Sequence, residues 1–472
     1  MARIRGEIEK FQMEVPVHIY ANDYILERIK SDRTLEQISN VACLPGIKKH
    51  AIALSDAHQG YGFCIGGVAG TEAETGMISP GGVGYDINCG VRLLRTSLVE
   101  DQVREKLPKL LNTIFINIPS GLGSKGKLNI SYRDLDSVLN NGLKWALEKD
   151  YAIETDLQYC EEKGCLPDAD ADLVSGKAKQ RALKQLGSLG SGNHFLEIQK
   201  VDKIFNKKIA KKLGIFDKSQ ITVMVHTGSR ALGHQVCTDS LRMIEKAMRK
   251  YDIKVPDREL ACVPADTPEA QSYMKQMACA ANFGFCNRQL ITHWMRESFE
   301  TVHKMDADEL DLNLIYGVCH NILKIEEHKV NGKKMKLNIH RKGATRAFPP
   351  NHPALPQDYK SIGQPALIPG TMGSASYLCV GKPRAMDLSF GSTAHGSGRT
   401  MSRSKAKRKF WGKKISDDLY KQGILVKAAS MKVIAEEAPG AYKDIDQVIN
   451  VSHNLGIVEK IVRLVPIGVV KG

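Results

Sequence analysis

Ile221-Thr222-Val223-Met224-Val225-His226-Thr227-Gly228-Ser229-Arg230 passes from a short apolar run, partly β-branched, into a turn of small residues. Such a run reads as a buried strand, because branched side chains pack well on a pleated surface. An imidazole stands at its end, as expected of a strand that delivers a functional loop. Outward from it, further strands are predicted at 16–20, 49–54, 91–96 and 461–469. Asn331-Gly332 between 324–330 and 333–340 is a strong signal for a tight hairpin. Tyr132, Leu135, Val138, Leu139, Leu143, Ala146 and Leu147 have helical spacing within 131–150, and 268–304 should hold one long helix or two. Helix and strand alternate without a regular βαβ beat, and there is no Rossmann or P-loop signature. A mixed α/β (α+β) architecture around one extended core follows.

The 472 residues could bury one large core or two to three ordinary domains. With 42% hydrophobic and 25% charged residues, the composition is that of a soluble globular protein. No apolar run approaches the length of a bilayer span, so no membrane partner is expected. Met1-Ala2-Arg3-Ile4-Arg5-Gly6-Glu7 lacks the apolar core of a signal peptide. Eleven cysteines, an odd number in a long chain, read as reduced thiols rather than a disulfide framework, which points to the cytoplasm. Cys160 and Cys165 lie in a polar loop, 159–170, without the second pair that a structural metal would need. The net charge of +15 suits a polyanionic partner equally with an inert basic surface.

Four segments combine small residues with metal-type side chains. Gly81-Gly82-Val83-Gly84-Tyr85-Asp86-Ile87-Asn88-Cys89-Gly90 holds a carboxylate and a thiol three residues apart. Gly190-Ser191-Gly192-Asn193-His194-Phe195-Leu196-Glu197, Val225-His226-Thr227-Gly228-Ser229-Arg230 and Tyr316-Gly317-Val318-Cys319-His320-Asn321 each supply an imidazole. Taken singly, each is more often a structural residue; jointly they suffice for two adjacent cations with the thiolate bridging. Ligand softness divides the metal choice, since Cys and His favour zinc while carboxylate and a phosphate-bearing substrate favour manganese or magnesium.

A fourth histidine sits in Ser389-Phe390-Gly391-Ser392-Thr393-Ala394-His395-Gly396-Ser397-Gly398-Arg399, where backbone amides could close around an anion. A neutral imidazole there is a competent nucleophile toward phosphorus. Asp56 and His58, in Ser55-Asp56-Ala57-His58-Gln59-Gly60, lie in a further expected turn, where Asp56 is either a supporting catalytic group or a turn former. The basic run 402–414, with Phe410 and Trp411, reads as a contact for a nucleic-acid backbone.

These motifs, together with Glu437-Ala438-Pro439-Gly440-Ala441-Tyr442-Lys443 and the terminal Pro466-Ile467-Gly468-Val469-Val470-Lys471-Gly472, resemble the RtcB RNA-splicing ligases across nearly the whole chain. The resemblance implies one catalytic domain over 1–472, with central β-sheets surrounded by helices. It implies joining of RNA 2′,3′-cyclic phosphate or 3′-phosphate ends to 5′-hydroxyl ends, with GTP and two manganese ions. Asp86, Cys89, His194, His226 and His320 would hold the metals, and His395 would become linked to GMP, with Arg399 offsetting phosphoryl charge. Asn193, His194, Phe195, Leu196, Glu197, His320, Asn321, Pro369, Gly370, Thr371, Met372, Ser376, Gly396, Ser397, Gly398, Tyr442 and Lys471 would surround the nucleotide. Thr371 stands where some members have serine, and the hydroxyl is kept. RNA such as broken or spliced tRNA is the implied partner, together with an archease-type activator. The alternatives are a dinuclear phosphodiesterase, which leaves His395 and Tyr442 without a role, and a basic RNA-binding scaffold, which leaves the metal-type cluster without one.

Overall fold

The computed structural model describes residues 11–472 in full, together with the backbone of the strands Ala2–Ile4 and Glu7–Ile8. The side chains of residues 1–10, including the stretch read above for a leader, lie outside the described residues. Two large sheets organise the chain. The larger has eight strands, seven of them in the spatial order Leu314–Cys319, Gly90–Val99, Gln220–Thr227, Phe195–Ile204, Val458–Lys471, Ser376–Gly381 and Pro365–Ile368, all antiparallel. Leu425–Ala428 adds in parallel to the C-terminal part of Val458–Lys471. The smaller sheet runs Ala2–Ile4, Val17–Ile19, Ile47–His58, Ile65–Glu72, Lys333–Lys342 and Asn321–Val330.

The expected strands are all present and mostly longer than their sequence signals. Gln220–Thr227 is buried at every position, consistent with a central strand carrying apolar side chains on both faces. Asn331 and Gly332 have φ of 49° and 82° and join strands that pair from Val330 opposite Lys333. Residues 268–304 form one helix, Pro268–His303, started by the Thr267 side chain and the fixed φ of Pro268 and ended at a left-handed Lys304. The 131–150 segment is instead two helices, Tyr132–Asn141 and Leu143–Glu148, because the chain reverses its φ at Gly142.

The 159–170 segment is a correction. It is read above only as a polar loop, and Glu161 and Cys160 within it are buried. Glu161 accepts from Lys324 Nζ at 2.6 Å and from the Cys319 amide at 3.0 Å, and meets Arg346 at 3.2 Å. Glu161 is turned inward to partners that the sequence places over 150 positions away.

The long helix fastens the loops of the candidate site through buried polar side chains. Arg288 donates to the carbonyls of Asn88 and Thr227 at 2.6 and 2.8 Å, and Asn287 accepts from the Gly187 and Ser188 amides. Buried polar groups satisfied in this way lock loop geometry, since an unpaired partner would cost about 1–3 kcal/mol. Among the described residues, no helix is long and apolar enough to cross a membrane.

Candidate metal centre and nucleophile

Four neighbouring strands of the larger sheet end at the same edge. Register places Cys319 opposite Gly90, Gly90 opposite Thr227, and His226 opposite Phe195. Cys89, His194, His226 and His320 stand at or beside these ends, so a sheet, not a local motif, gathers them. The next strand places Lys471 opposite Phe195 and thereby brings the last residues to the same edge.

The ligand atoms converge. Cys89 Sγ lies 3.2 Å from His226 Nε2 and 3.6 Å from His194 Nε2, and the Nε2 atoms of His226 and His320 are 3.3 Å apart. Asp86 Oδ2 is 2.8 Å from His194 Nε2. Two triads result, Cys89–His226–His320 and Asp86–Cys89–His194, each with its ligand atoms within 4.8 Å of one another, and Cys89 is common to both. Burial holds His226 and His320 well below the ordinary histidine range, so both are neutral at pH 7. Burial, reinforced by the Asp86 carboxylate, pushes the Cys89 thiol well above its usual range. Burial also opposes ionisation of Asp86, but the contact with His194 prevails and holds it below the usual carboxylate range. Lone pairs facing one another in a buried space repel, and a bound cation turns that repulsion into coordination while keeping the thiol deprotonated. The donor set therefore fits a pair of divalent ions.

His395 follows the strand Ser392–Ala394, which pairs with Ala344–Arg346. Its ring centre is 4.9 Å from that of His320. Asp56 belongs to the strand Ile47–His58 rather than to the expected turn, and its side chain is fully buried. One of its oxygens accepts from both the His395 amide, at 2.8 Å, and the ring Nδ1, at 2.5 Å. Donation from Nδ1–H leaves the Nε2 lone pair free. Burial would raise the Asp56 carboxyl, but its contacts with the His395 ring and amide, with Lys443 nearby, hold it below the usual range. Gly398, at φ 70°, runs so close that a Cβ would meet the Asp56 carbonyl at 2.1 Å. Asp86, Cys89, His194, His226, His320 and His395 line one cavity of about 760 Å³, together with Asn193 and Asn321.

The other expected nucleotide residues are distributed more widely. Lys471 Nζ is 3.4 Å from Asn193 Oδ1 and 5.2 Å from the centre of the Phe195 ring. Glu197 is buried, accepts from Gln199 at 2.8 Å, and is raised by burial. Gln199 also reaches Ser376 Oγ at 3.2 Å, which accepts from the Gly370 amide at 3.1 Å. Leu196 packs into the apolar core, and Met372 packs against Leu419 and Val469. Asn321 ties the Asp86 carbonyl to the Gly343 amide. Pro369 accepts from the Ser397 amide at 3.2 Å, Gly396 packs beside that carbonyl, and Thr371 bonds Ser374. Tyr442 and Thr371 line a separate cavity of about 580 Å³. Arg399 is committed to Glu437 at 3.1 Å, to the Tyr442 hydroxyl at 2.8 Å and to the Glu436 carbonyl at 2.9 Å. Its guanidinium covers one face of the Tyr442 ring, 4.8 Å from the centre.

Residues missed as site members are Arg230, Arg403, Arg181 and Lys342, all of which line the larger cavity, and the buried Glu437. Arg230 and Glu437 stood inside quoted motifs, and Arg403 opened the basic run. Arg181 and Lys342 carried no signal beyond their charge.

The family model described as tRNA-splicing ligase RtcB matches residues 37–472. A relative named tRNA-splicing ligase RtcB from Thermococcus kodakarensis is 56% identical over all of this chain and 98% of its own length. Proteins of the same name from Methanococcus maripaludis and Aeropyrum pernix are 54% and 53% identical, over 98% of this chain and 95% and 96% of theirs. With matches of that extent, the chain belongs to the RtcB family.

Proposed function

We propose that this protein is a GTP- and manganese-dependent RNA ligase. It would join RNA 2′,3′-cyclic phosphate or 3′-phosphate ends to 5′-hydroxyl ends, in tRNA splicing or RNA repair in the cytoplasm, through one catalytic domain spanning 1–472. One observation carries the reading: His395 presents an unencumbered Nε2 beside a metal-type cluster, with Nδ1 anchored on a buried carboxylate. A hydrolase built on the same five ligands would use such a ring only to carry protons and would acquire no covalent guanylate.

His395 Nε2 attacks the α-phosphorus of GTP, the bond to the β-phosphate oxygen breaks, and pyrophosphate leaves. Asp56 balances the positive charge that develops on the ring. An oxygen of the RNA 3′-phosphate then attacks the histidine-bound GMP, which transfers to the RNA and frees His395. The 5′-hydroxyl attacks the activated 3′-phosphate, GMP leaves, and the hydroxyl proton passes to water. A cyclic phosphate is first opened by water. Two divalent ions, one held by Asp86, Cys89 and His194 and one by Cys89, His226 and His320, would neutralise the phosphoryl oxygens and hold attack and departure in line. Glu197 can accept from guanine N1–H and the 2-amino group, which adenine lacks, and Lys471 lies on the same edge.

Incubation with α-labelled GTP and manganese tests the reading. Label should stay on the denatured protein, be released by mild acid, and be absent from His395→Ala and Cys89→Ala. A wild-type protein that acquires no label, or a labelled His395→Ala, overturns it.

A further inference from the structure

The mouth of the metal cavity carries three aromatic rings that nothing in the mechanism uses. His234 is stacked on Tyr85 with ring centres 4.8 Å apart and planes 29° apart, and Tyr85 meets Tyr61 edge-on at 5.6 Å. All three line the cavity, Tyr85 immediately precedes the ligand Asp86, and His234 is exposed. The order is imposed by the fold. The helix Arg230–Lys250 packs so closely on the Asp86 loop that a Cβ on Gly233 would stand 3.2 Å from the Ile87 amide nitrogen, which sets His234 over Tyr85. Arg230, one helical turn before His234, also lines the cavity, as do Arg181 and Lys342.

Tyr61 and Tyr85 also pack against the main apolar core, but that packing does not account for His234. His234 is a solvent-facing ring stacked on a half-buried one, and neither tyrosine hydroxyl makes a hydrogen bond among the described residues. Partial burial of the ring, with Arg181 nearby, holds His234 below its ordinary range, so it offers a neutral flat face at pH 7. Flat faces framed by cations, opening onto a phosphate-handling cavity, match single-stranded nucleic acid, where bases stack on aromatic rings and the backbone follows positive charge. A chain of net charge +15 adds long-range attraction for such a strand.

We propose that Tyr61, Tyr85 and His234 form a stacking platform that holds the terminal bases of an RNA strand and so delivers its end to the metal cavity. This rests on the ligase reading for the meaning of that end, but not for the binding itself. The platform is sequence-tolerant, because every base has a π face, and it complements the backbone contact of Arg181.

Binding of a short fluorescent single-stranded RNA to the full chain, followed by anisotropy over a range of salt concentrations, tests the platform without requiring catalysis. His234→Ala and Tyr61→Ala should each weaken binding about tenfold or more with little change in the salt slope, whereas Arg181→Ala should make the slope shallower. His234→Phe should bind as the wild type does. Protein-guanylate formation from labelled GTP, which needs no RNA, reports separately on the metal pair; its failure in the wild type would count against the ligase reading alone. Wild-type affinity in both alanine variants, or a His234→Phe variant as weak as His234→Ala, overturns the platform.

Discussion

Asp56→Asn changes one atom type and isolates the tautomer of the proposed nucleophile. In the native site a single carboxylate oxygen accepts from the His395 amide and from Nδ1, at 2.8 and 2.5 Å. Both bonds end on an ionised acceptor, and such bonds contribute roughly 1.5–3 kcal/mol each. Because the same oxygen takes both bonds, the amide either keeps them through its carbonyl, with the charge lost and its NH2 buried where Oδ1 has no partner, or turns its NH2 to the ring, favouring the tautomer in which Nε2 carries the proton. Loss of the charge from both bonds, with the wrong tautomer where the NH2 meets the ring, removes at most about 3–6 kcal/mol from the transition state, or up to roughly 10²–10⁴ in rate. A carboxylate-to-amide change in a serine-protease triad costs about 10⁴ for the same reason. Single-turnover labelling with α-labelled GTP, quenched in alkali to preserve the phosphorus–nitrogen bond, measures the rate. Thermal unfolding and metal content establish that the variant is folded and loaded. If Asp56→Asn is folded, loaded and guanylylated within threefold of wild type, the ring is not set by Asp56 and the reasoning fails.

Gly398→Ala should lose guanylylation while the protein stays folded, because its Cβ would collide with the Asp56 carbonyl at a φ that disfavours side chains; labelled GTP measures this. Glu161→Gln should destabilise by about 3–5 kcal/mol, since Lys324 and Arg346 would lose a buried counter-charge. Glu162→Gln, whose side chain is 32% exposed, should cost much less, and urea titration compares the two. His340 accepts from the Ser79 amide at 3.2 Å and burial holds it down at about 4. Its folded value lies below the unfolded one, so the unfolded state takes up the proton first and stability falls as pH drops from about 6.5 to 4. The upper limit is about 3 kcal/mol. His340→Gln should make the measured loss between pH 6.5 and 4 shallower by about one proton.

Residues whose structure is set by near neighbours were readable in the chain itself. The Asn331-Gly332 turn, the apolar strand ending at His226 and the Thr267–Pro268 helix start depend on φ preferences, branching and capping over a few positions. The metal-type residues were also visible one by one, because each stands beside small residues, and family resemblance ordered them. Their assembly was not visible. Asp56 and His395 are 339 positions apart, and only the pairing of two sheets brings a carboxylate under that ring.

Polarity misled where charges neutralise one another inside. Glu161 stood in a segment legible only as a polar loop, because its partners Lys324 and Arg346 are remote in sequence. Arg399, expected beside the phosphoryl group, donates four bonds to Glu437, Tyr442 and two carbonyls, partners that its position four residues after His395 does not announce. Tyr61, Tyr85 and His234 have no shared local pattern and meet only because a helix packs against the Asp86 loop. The amino-acid sequence by itself thus determined which segments become strands, turns and helices and which side chains carry chemistry, since those follow from short-range sterics and residue type. Partnership between them was decided by tertiary structure alone, because Coulomb and hydrogen-bond energies depend on distance in space and on excluded water, neither of which a linear order contains.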